Sequence, residues 1–165
     1  MKKISLLLAL SGCIISCASY KSEFEKKGEF TTPEGWTTSY QNKNGIKTTL
    51  FKPKNPEADG SIQCDILANL QYPTIDKYTN QIIESYKKSG ELKGIRQTKK
   101  GTVAGLPCRY LEAVFVNSAS GKPAKGFLGV LIKDGPRFYY VYGFYPLNKK
   151  ASFTGIFHRL VNSLK

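Results

Sequence analysis

Residues 126–145 read GFLGVLIKDGPRFYYVYGFY, two apolar runs separated by Asp134, Gly135 and Pro136. Both runs are rich in β-branched and aromatic residues, and a Gly-Pro pair between such runs is typical of a turn. Gly126 to Lys133 and Arg137 to Tyr145 are therefore predicted to form a β-hairpin. Successive side chains of a strand face opposite sides of a sheet, so the second run presents two rows. One row is Phe138, Tyr140, Tyr142 and Phe144, and the other is Tyr139, Val141 and Tyr145.

Strand-like segments precede this hairpin. Trp36 to Phe51 alternates loosely around the turn Asn42 to Gly45, which predicts a first hairpin. Ser61 to Leu70 has an apolar residue at every second position, from Ile62 to Leu70, and predicts a strand with one apolar face. Two more strands are predicted on either side of a turn at Ala104 to Pro107, namely Gln97 to Val103 and Cys108 to Val116.

Two segments have helical periodicity. Thr74 to Ser89 begins after Pro73 and stops before Gly90, with lysines in its last turn. Its apolar stripe is Ile75, Tyr78, Ile82, Ile83 and Tyr86. The second segment runs from about Asn148 to Leu164, with a stripe of Phe153, Ile156, Phe157, Leu160, Val161 and Leu164. Strands that flank one internal helix, followed by a terminal helix, predict an α+β domain in which helices pack on an antiparallel sheet.

The N-terminus is typical of an export signal. Lys2 and Lys3 precede an apolar stretch, residues 4–15, that is shorter than the roughly 20 residues of a membrane-spanning helix. A cysteine follows, in a pattern that resembles the lipobox of bacterial lipoproteins. Two registers fit, ending at Cys13 or at Cys17, and Cys17 is favoured because Cys13 leaves a very short apolar region. A signal peptide cleaved nearby without lipidation is the alternative.

These features predict three parts of the chain: a lipoprotein signal peptide at 1–16, a lipidated cysteine with a flexible tether at 17–29, and one domain at 30–165. The tether is polar and charged, as in KSEFEKKGE, and is expected to stay solvated. The residues after the cysteine, Ala18 and Ser19, include no aspartate. This resembles the sequence of lipoproteins that are sorted to the outer membrane. We therefore expect a protein anchored in the cell envelope that faces the periplasm or the cell surface.

The chain of 165 residues is basic, with a formal charge of +13. From Lys93 onward there are thirteen lysines and arginines but only two acids, Glu112 and Asp134. Such an excess attracts anionic surfaces, including lipid head groups, although ordinary solubility charge is an alternative explanation. The basic residues are scattered singly, and no nucleic-acid-binding motif accompanies them, so nucleic acid is not expected as a partner.

The residues of common catalytic and metal sites are scarce. Cys64 and Cys108 are the cysteines that remain after export, and they form either a disulfide or two free buried thiols. His158, the only histidine, borders the stripe of the terminal helix and is expected to be a half-exposed structural residue. No nucleophile elbow, metalloprotease motif, phosphate loop or zinc-ligand spacing occurs. We therefore expect no enzyme activity, no catalytic residues, no metal and no cofactor.

Several short motifs resemble the PsbP-like family. Pro33-Glu34-Gly35-Trp36 is similar to the P-x-G-W opening of these domains. The internal helix, the turn Val103 to Pro107, the Tyr-rich strand and the terminal helix then follow in the family's order over residues 30–165. The resemblance implies an α/β/α sandwich, as in photosystem extrinsic proteins, a Ran-binding nuclear import factor and bacterial lipoproteins. It implies no shared catalytic residues, and it implies binding to other proteins.

Two hypotheses for function follow. The first is a membrane-anchored envelope lipoprotein that acts as a non-enzymatic binding module for an unidentified envelope protein. The second is a binder of lipid or another anionic amphiphile through an aromatic groove and a basic face. The residues expected to bind in this groove are Tyr140, Tyr142, Phe144, Arg137, Lys149 and Lys150. If helices cover both faces of the sheet, however, the aromatic row is simply core.

Overall fold

The computed structural model describes residues 30–43, 45–55, 60–68, 74–90, 92–116, 120 and 123–165. The predicted signal peptide at 1–16 and the lipidated cysteine with its tether at 17–29 lie outside the described residues. So do Asn44 in the first predicted turn and the last two residues of the predicted strand 61–70.

The described residues form one seven-stranded sheet in the order β1-β2-β3-β7-β6-β5-β4. Every neighbouring pair is antiparallel. The predicted hairpin of residues 126–145 lies inside the sheet, and its Asp134–Arg137 pair leaves Gly135 and Pro136 as the turn. The strands are β1 Trp36–Lys43, β2 Ile46–Pro53, β3 Ser61–Ala68, β4 Leu92–Val103, β5 Leu106–Val116, β6 Pro123–Asp134 and β7 Arg137–Pro146.

One helix packs on each face of the sheet. Helix α1, Ile75–Ser89, is capped by the Thr74 side chain, which accepts from the Lys77 N–H, and ends at Gly90 with a φ of 69°. It lies over β4, β5 and β6. Helix α2, Lys150–Asn162, follows a single 3-10 turn at Leu147–Lys149 and lies over β6 and β7 on the opposite face. The predicted α+β fold, a helix–sheet–helix sandwich, is confirmed.

We call the two sides of the sheet the α1 face and the α2 face. The core of the α1 face is centred on Leu111, Phe127, Leu131 and Phe138 beneath Ile82. The core of the α2 face joins residues from most of the strands to the buried stripe of the terminal helix. Its members include Trp36, Phe51, Ile62, Cys64, Cys108, Val130, Val141, Phe153, Phe157 and Leu160.

The β4–β5 hairpin differs from its prediction. The turn is only Ala104 and Gly105, with φ angles of 50° and 79°, so Leu106 and Pro107 belong to β5 and pair with Val103 and Thr102. Two successive residues with positive φ make the tight turn that matches strand twist. Strand β4 also begins at Leu92 rather than Gln97, because two register shifts in its first half disrupt the alternation that would have revealed it.

Candidate functional site

The aromatic row of β7 divides into a covered part and an open part. All four residues lie on the α1 face, as predicted. Phe138 and Tyr140 are buried under α1, where the Tyr78 ring lies 5.0 Å from that of Phe138 and the Tyr140 hydroxyl donates to the Tyr86 hydroxyl at 3.4 Å. The next two members of the row, Tyr142 and Phe144, are only half-buried. The row is therefore core at one end and an accessible surface at the other.

A carboxylate borders the row where its open part begins, because Asp65 lies opposite Tyr140 in the sheet. Asp65 accepts hydrogen bonds from the Thr48 hydroxyl at 2.7 Å, the Gln63 amide at 2.9 Å and the Tyr142 hydroxyl at 3.4 Å. These donors come from β2, β3 and β7, and all are half-buried. Burial, and next the charge of Asp65, raises the pKa of Tyr142 above its usual value, so this phenol stays protonated and donates. Below, Thr48, Gln63, Asp65, Tyr142 and Phe144 are called the Asp65 surface.

The rings at the edge of the Asp65 surface are held by their neighbours. Tyr142 stacks on Tyr140 with ring centres 4.7 Å apart, and Phe144 packs against Phe127 at 5.4 Å and Phe115 at 6.2 Å. Because these contacts restrict rotation of the rings, the surface is preformed and loses little conformational freedom on binding.

The predicted basic residues do not join the aromatic row. Lys150 lies at the start of α2, on the other face, where it pairs with Glu112 at 2.6 Å. Lys149 ends the 3-10 turn before that helix. Arg137 is at the far end of β7, paired with Asp134 and placed 5.9 Å from the centre of the Tyr139 ring, which belongs to the α2 face. The structure therefore brings Tyr142 together with Asp65, with Phe144 next along the row, and among the described residues it does not assemble a basic aromatic groove.

A concave region lies on the α2 face, between α2 and strands β4 to β6. It is a cavity of about 240 Å³. Thr154 contributes a buried hydroxyl that has no hydrogen-bond partner among the described residues. Partial burial, and next the charge of Lys99, lowers the pKa of His158 below its usual value and favours the neutral imidazole. The polar lining residues are Thr98, Lys99, Tyr110, Glu112, Lys150, Thr154 and His158.

The two cysteines are free and buried. Both belong to the α2 face, but Cys64 is on β3 and Cys108 on β5, with β7 and β6 between them. Three strand spacings amount to about 14 Å, whereas a disulfide needs Cα atoms within about 7 Å. The disulfide alternative is therefore corrected: this fold holds two separate thiols. Burial raises the pKa of each thiol, the reverse of what an activated nucleophile needs.

His158 does not form a nucleophilic pair with either thiol. Its ring contacts Tyr110 at 5.5 Å and Phe157 at 6.1 Å between ring centres, and Tyr110 shares a hydrogen bond with Cys108. Tyr110 therefore lies between the imidazole and the nearer thiol. In the part of the chain that the structure describes, no group of three or more His, Cys, Asp or Glu residues has the arrangement of a metal site.

Sequence reasoning named Tyr142 and Phe144 but missed the polar residues of the Asp65 surface, Thr48, Gln63 and Asp65, and the Thr154 hydroxyl. Gln63 and Asp65 stood on the polar side of a predicted strand, which is the normal appearance of a solvated face. Their importance comes from Thr48 and Tyr142, which lie 17 and 77 residues from Asp65 along the chain. A lone acid in a segment otherwise free of charge, SIQCDILANL, was the one local signal.

The fold is that of the PsbP and Mog1 class of α+β sandwiches. No family model and no curated protein sequence matches this chain. Among solved structures, it is similar to cyanobacterial PsbP (CyanoP) from Synechocystis sp. PCC 6803, with a TM-score of 0.60 and 12% identity over 84% of this chain and 86% of that one.

Two further structures are similar at the same level. The Saccharomyces cerevisiae Ran-binding protein Mog1p has a TM-score of 0.54 and 15% identity, over 82% of this chain and 85% of that one. LpqN, involved in cell envelope biogenesis of Mycobacterium tuberculosis, has a TM-score of 0.53 and 8% identity, over 81% of this chain and 79% of that one. At such identities the likeness establishes the fold, as the short motifs implied.

Proposed function

We propose that this chain is a non-enzymatic binding module, lipid-anchored in the bacterial cell envelope, which holds a protein partner on the Asp65 surface. The observation that carries the proposal is a fixed carboxylate hydrogen-bonded to the half-buried Tyr142, with a second half-buried ring, Phe144, next along the strand. Aromatic residues that combine ring contacts with hydrogen bonds are enriched in protein interfaces. Among the described residues Asp65 accepts three hydrogen bonds, and a carboxylate accepts about four, which leaves one site there for a donor of the partner.

The chemistry of the Asp65 surface favours a protein over an acyl chain. A chain packed on Tyr142 and Phe144 would remove Asp65 from water without giving it a new hydrogen bond, which costs several kcal/mol for a charged group. An anionic head group would be repelled by the same carboxylate. We therefore expect a partner segment with an arginine or lysine next to an apolar side chain, because a cation forms the strongest hydrogen bonds to a carboxylate.

Attachment to the envelope is the second part of the proposal. Among the described residues, no helix is both long and apolar enough to cross a membrane. The lipobox-like cysteine at Cys17 would supply the anchor, with the protein facing the periplasm or the cell surface. Two of the similar structures agree with this proposal in one respect each: LpqN is described as involved in envelope biogenesis, and Mog1p is described as binding a protein, Ran.

Site-specific photo-crosslinking in intact cells tests the proposal. A benzophenone amino acid is placed at Phe144 or at Leu50, which lies opposite Gln63 in the sheet. The matched control position is Lys77, which is exposed on α1. We expect one discrete protein adduct from positions 50 and 144 and none from position 77.

The role of the carboxylate is tested in the same assay. Asp65→Asn should abolish the adduct, whereas Glu84→Gln, an equal change of charge on the exposed side of α1, should leave it intact. Crosslinks from positions 50 and 144 to phospholipid alone would overturn the protein hypothesis in favour of the amphiphile hypothesis. Adducts of equal yield at position 77 would show that the Asp65 surface has no special role.

A further inference from the structure

The sheet has two edge strands, β1 and β4, and they differ sharply in charge. Strand β4 carries Lys93, Arg96, Lys99 and Lys100, and two register shifts interrupt its pairing with β5. Charged side chains and irregular pairing are the devices by which natural sheets prevent another strand from adding to an edge. Strand β1 has neither device before its last residue, Lys43. Residues 37–42 read TTSYQN, without a charge or a proline, and β1 pairs with β2 in one unbroken register.

The hydrogen bonds of β1 show which of its backbone groups β2 does not use. The Gly35 carbonyl accepts from the Lys54 N–H at 2.8 Å, so odd-numbered residues of β1 bond to β2. Bonded and non-bonded pairs alternate in an antiparallel ladder, and the N–H and C=O groups of even-numbered residues therefore point away from β2. The Trp36 N–H is used by the Pro33 carbonyl at 3.1 Å. Thr38, Tyr40 and Asn42 thus present a short row of donors and acceptors at the edge.

Most side chains along this edge are also accessible, but Thr38 is half-buried and its hydroxyl shares a hydrogen bond with that of Thr32. Tyr40 is 77% exposed, the highest value among the large hydrophobic residues that the structure describes. Thr37, Ser39, Gln41 and Asn42 are exposed as well. Among the described residues, β1 pairs with β2 alone.

We propose that β1 is a self-association edge: a second copy of this chain adds to it antiparallel, about a two-fold axis, and joins the two sheets. In the register that pairs Thr38 with Tyr40 of the other copy, an aromatic ring meets a β-branched side chain twice, a favourable cross-strand pair. An antiparallel edge is complementary to itself, so a second copy needs no additional recognition element.

The distribution of charge permits this association despite the excess of basic residues. The cations of β4 lie six strand spacings, about 29 Å, from β1, beyond the Debye length of about 8 Å at physiological salt. The cations nearest to the edge are Lys43, the last residue of β1, and Lys47 and Lys52 on β2. Their repulsion across the two-fold axis is screened by salt. We therefore expect a weak dimer that becomes stronger as salt increases, the opposite of an association held by ion pairs.

Amide hydrogen exchange and sedimentation velocity test the proposal on the full chain in a non-ionic detergent. In the monomer, the Ser39 and Gln41 amides should be protected and the Thr38 and Tyr40 amides should exchange freely. Raising the protein concentration should protect Thr38 and Tyr40 in step with the appearance of the dimer. If these two amides exchange at the same rate over the whole concentration range, the proposal is wrong.

Two variants and a matched control locate the contact. Tyr40→Lys should weaken dimerisation by about tenfold or more, because the two-fold axis places the new charge in both strands. Thr38→Pro should do the same by removing an outward N–H that β2 does not use. Thr102→Lys adds an equal charge at the other edge and should leave the dimer intact. Protected Ser39 and Gln41 amides show that each variant is folded. If all three changes weaken the dimer equally, the weakening does not come from a contact at β1 and the proposal is wrong. The proposed role of the Asp65 surface would be unaffected.

Discussion

Thr79 and Thr154 carry the same side chain on the two helices, but only one of their hydroxyls is satisfied. The Thr79 hydroxyl is fully buried in α1 and donates to the Ile75 carbonyl at 2.8 Å. The Thr154 hydroxyl of α2 is buried beside the cavity of the α2 face and has no partner among the described residues. A buried polar group without a hydrogen bond lowers stability, whereas a paired one is close to neutral or stabilising.

The two threonines therefore predict opposite effects of one substitution. Thr154→Val should raise the free energy of unfolding by about 1 kcal/mol, because it removes an unsatisfied hydroxyl and keeps the shape of the side chain. Thr79→Val should lower it by about 1 kcal/mol, since it removes a bond that is made. Urea denaturation of both variants measures the difference. If Thr154→Val is the more destabilising change, the hydroxyl has a partner in solution.

At the scale of elements, a glycine of β6 makes room for an aromatic ring of β7. Gly126 of β6 pairs with Tyr145 of β7, and a Cβ at position 126 would lie 2.2 Å from the Tyr145 ring. Tyr145 in turn stacks on Phe153 of α2 with ring centres 4.8 Å apart. The glycine thus lets the ring lie flat on the sheet and link β7 to α2.

Gly126→Ala should therefore lower the free energy of unfolding by about 1–3 kcal/mol, the usual range for an overpacked core. The matched control is Gly101→Ala on β4, where a Cβ would meet Cys108 Sγ at an ordinary 3.6 Å. This control should be neutral or slightly stabilising, because alanine restricts the unfolded chain. Thermal unfolding of the two variants gives the comparison. Equal unfolding midpoints of the two variants would show that the Tyr145 ring moves aside without a loss of stability.

At the scale of the whole molecule, the formal charge of +13 and the predicted anchor give different membrane behaviour. Attraction by charge alone is removed by salt, because screening shortens its range. Acyl chains contribute about 0.8 kcal/mol per buried CH₂, and two or more chains hold a protein stably on a bilayer. Salt resistance therefore distinguishes the two forms of attachment.

We predict that the wild-type protein stays with membranes in about 1 M salt and partitions into detergent. Cys17→Ser should accumulate as an unprocessed precursor without lipid label, whereas Cys13→Ser, the control, should still be processed and acylated. Metabolic labelling with a fatty acid measures both variants. Loss of label from Cys13→Ser alone would move the anchor to Cys13. Normal membrane retention of both variants would leave the basic charge as the cause of membrane attachment.

Local sequence patterns determined the secondary-structure elements and which side chains share a face of each element. The hairpin of residues 126–145, helix α1 and the two rows of β7 follow from periods of two and 3.6 residues, which reflect the geometry of a single strand or helix. The same logic failed where structure depends on a partner strand. Leu106 and Pro107 became part of β5 because of their pairing with β4, and the start of β4 was hidden by its register shifts.

Only the tertiary structure decided what those elements form together. The order β1-β2-β3-β7-β6-β5-β4 places Tyr142 beside Asp65, separates Cys64 from Cys108 and leaves β1 at an edge. It also sets how far α1 extends over the aromatic row, so that Tyr140 belongs to the core and Tyr142 to the surface. Each of these depends on pairing between segments distant in the chain, and such pairing is selected by the total burial of the whole sheet rather than by any local pattern.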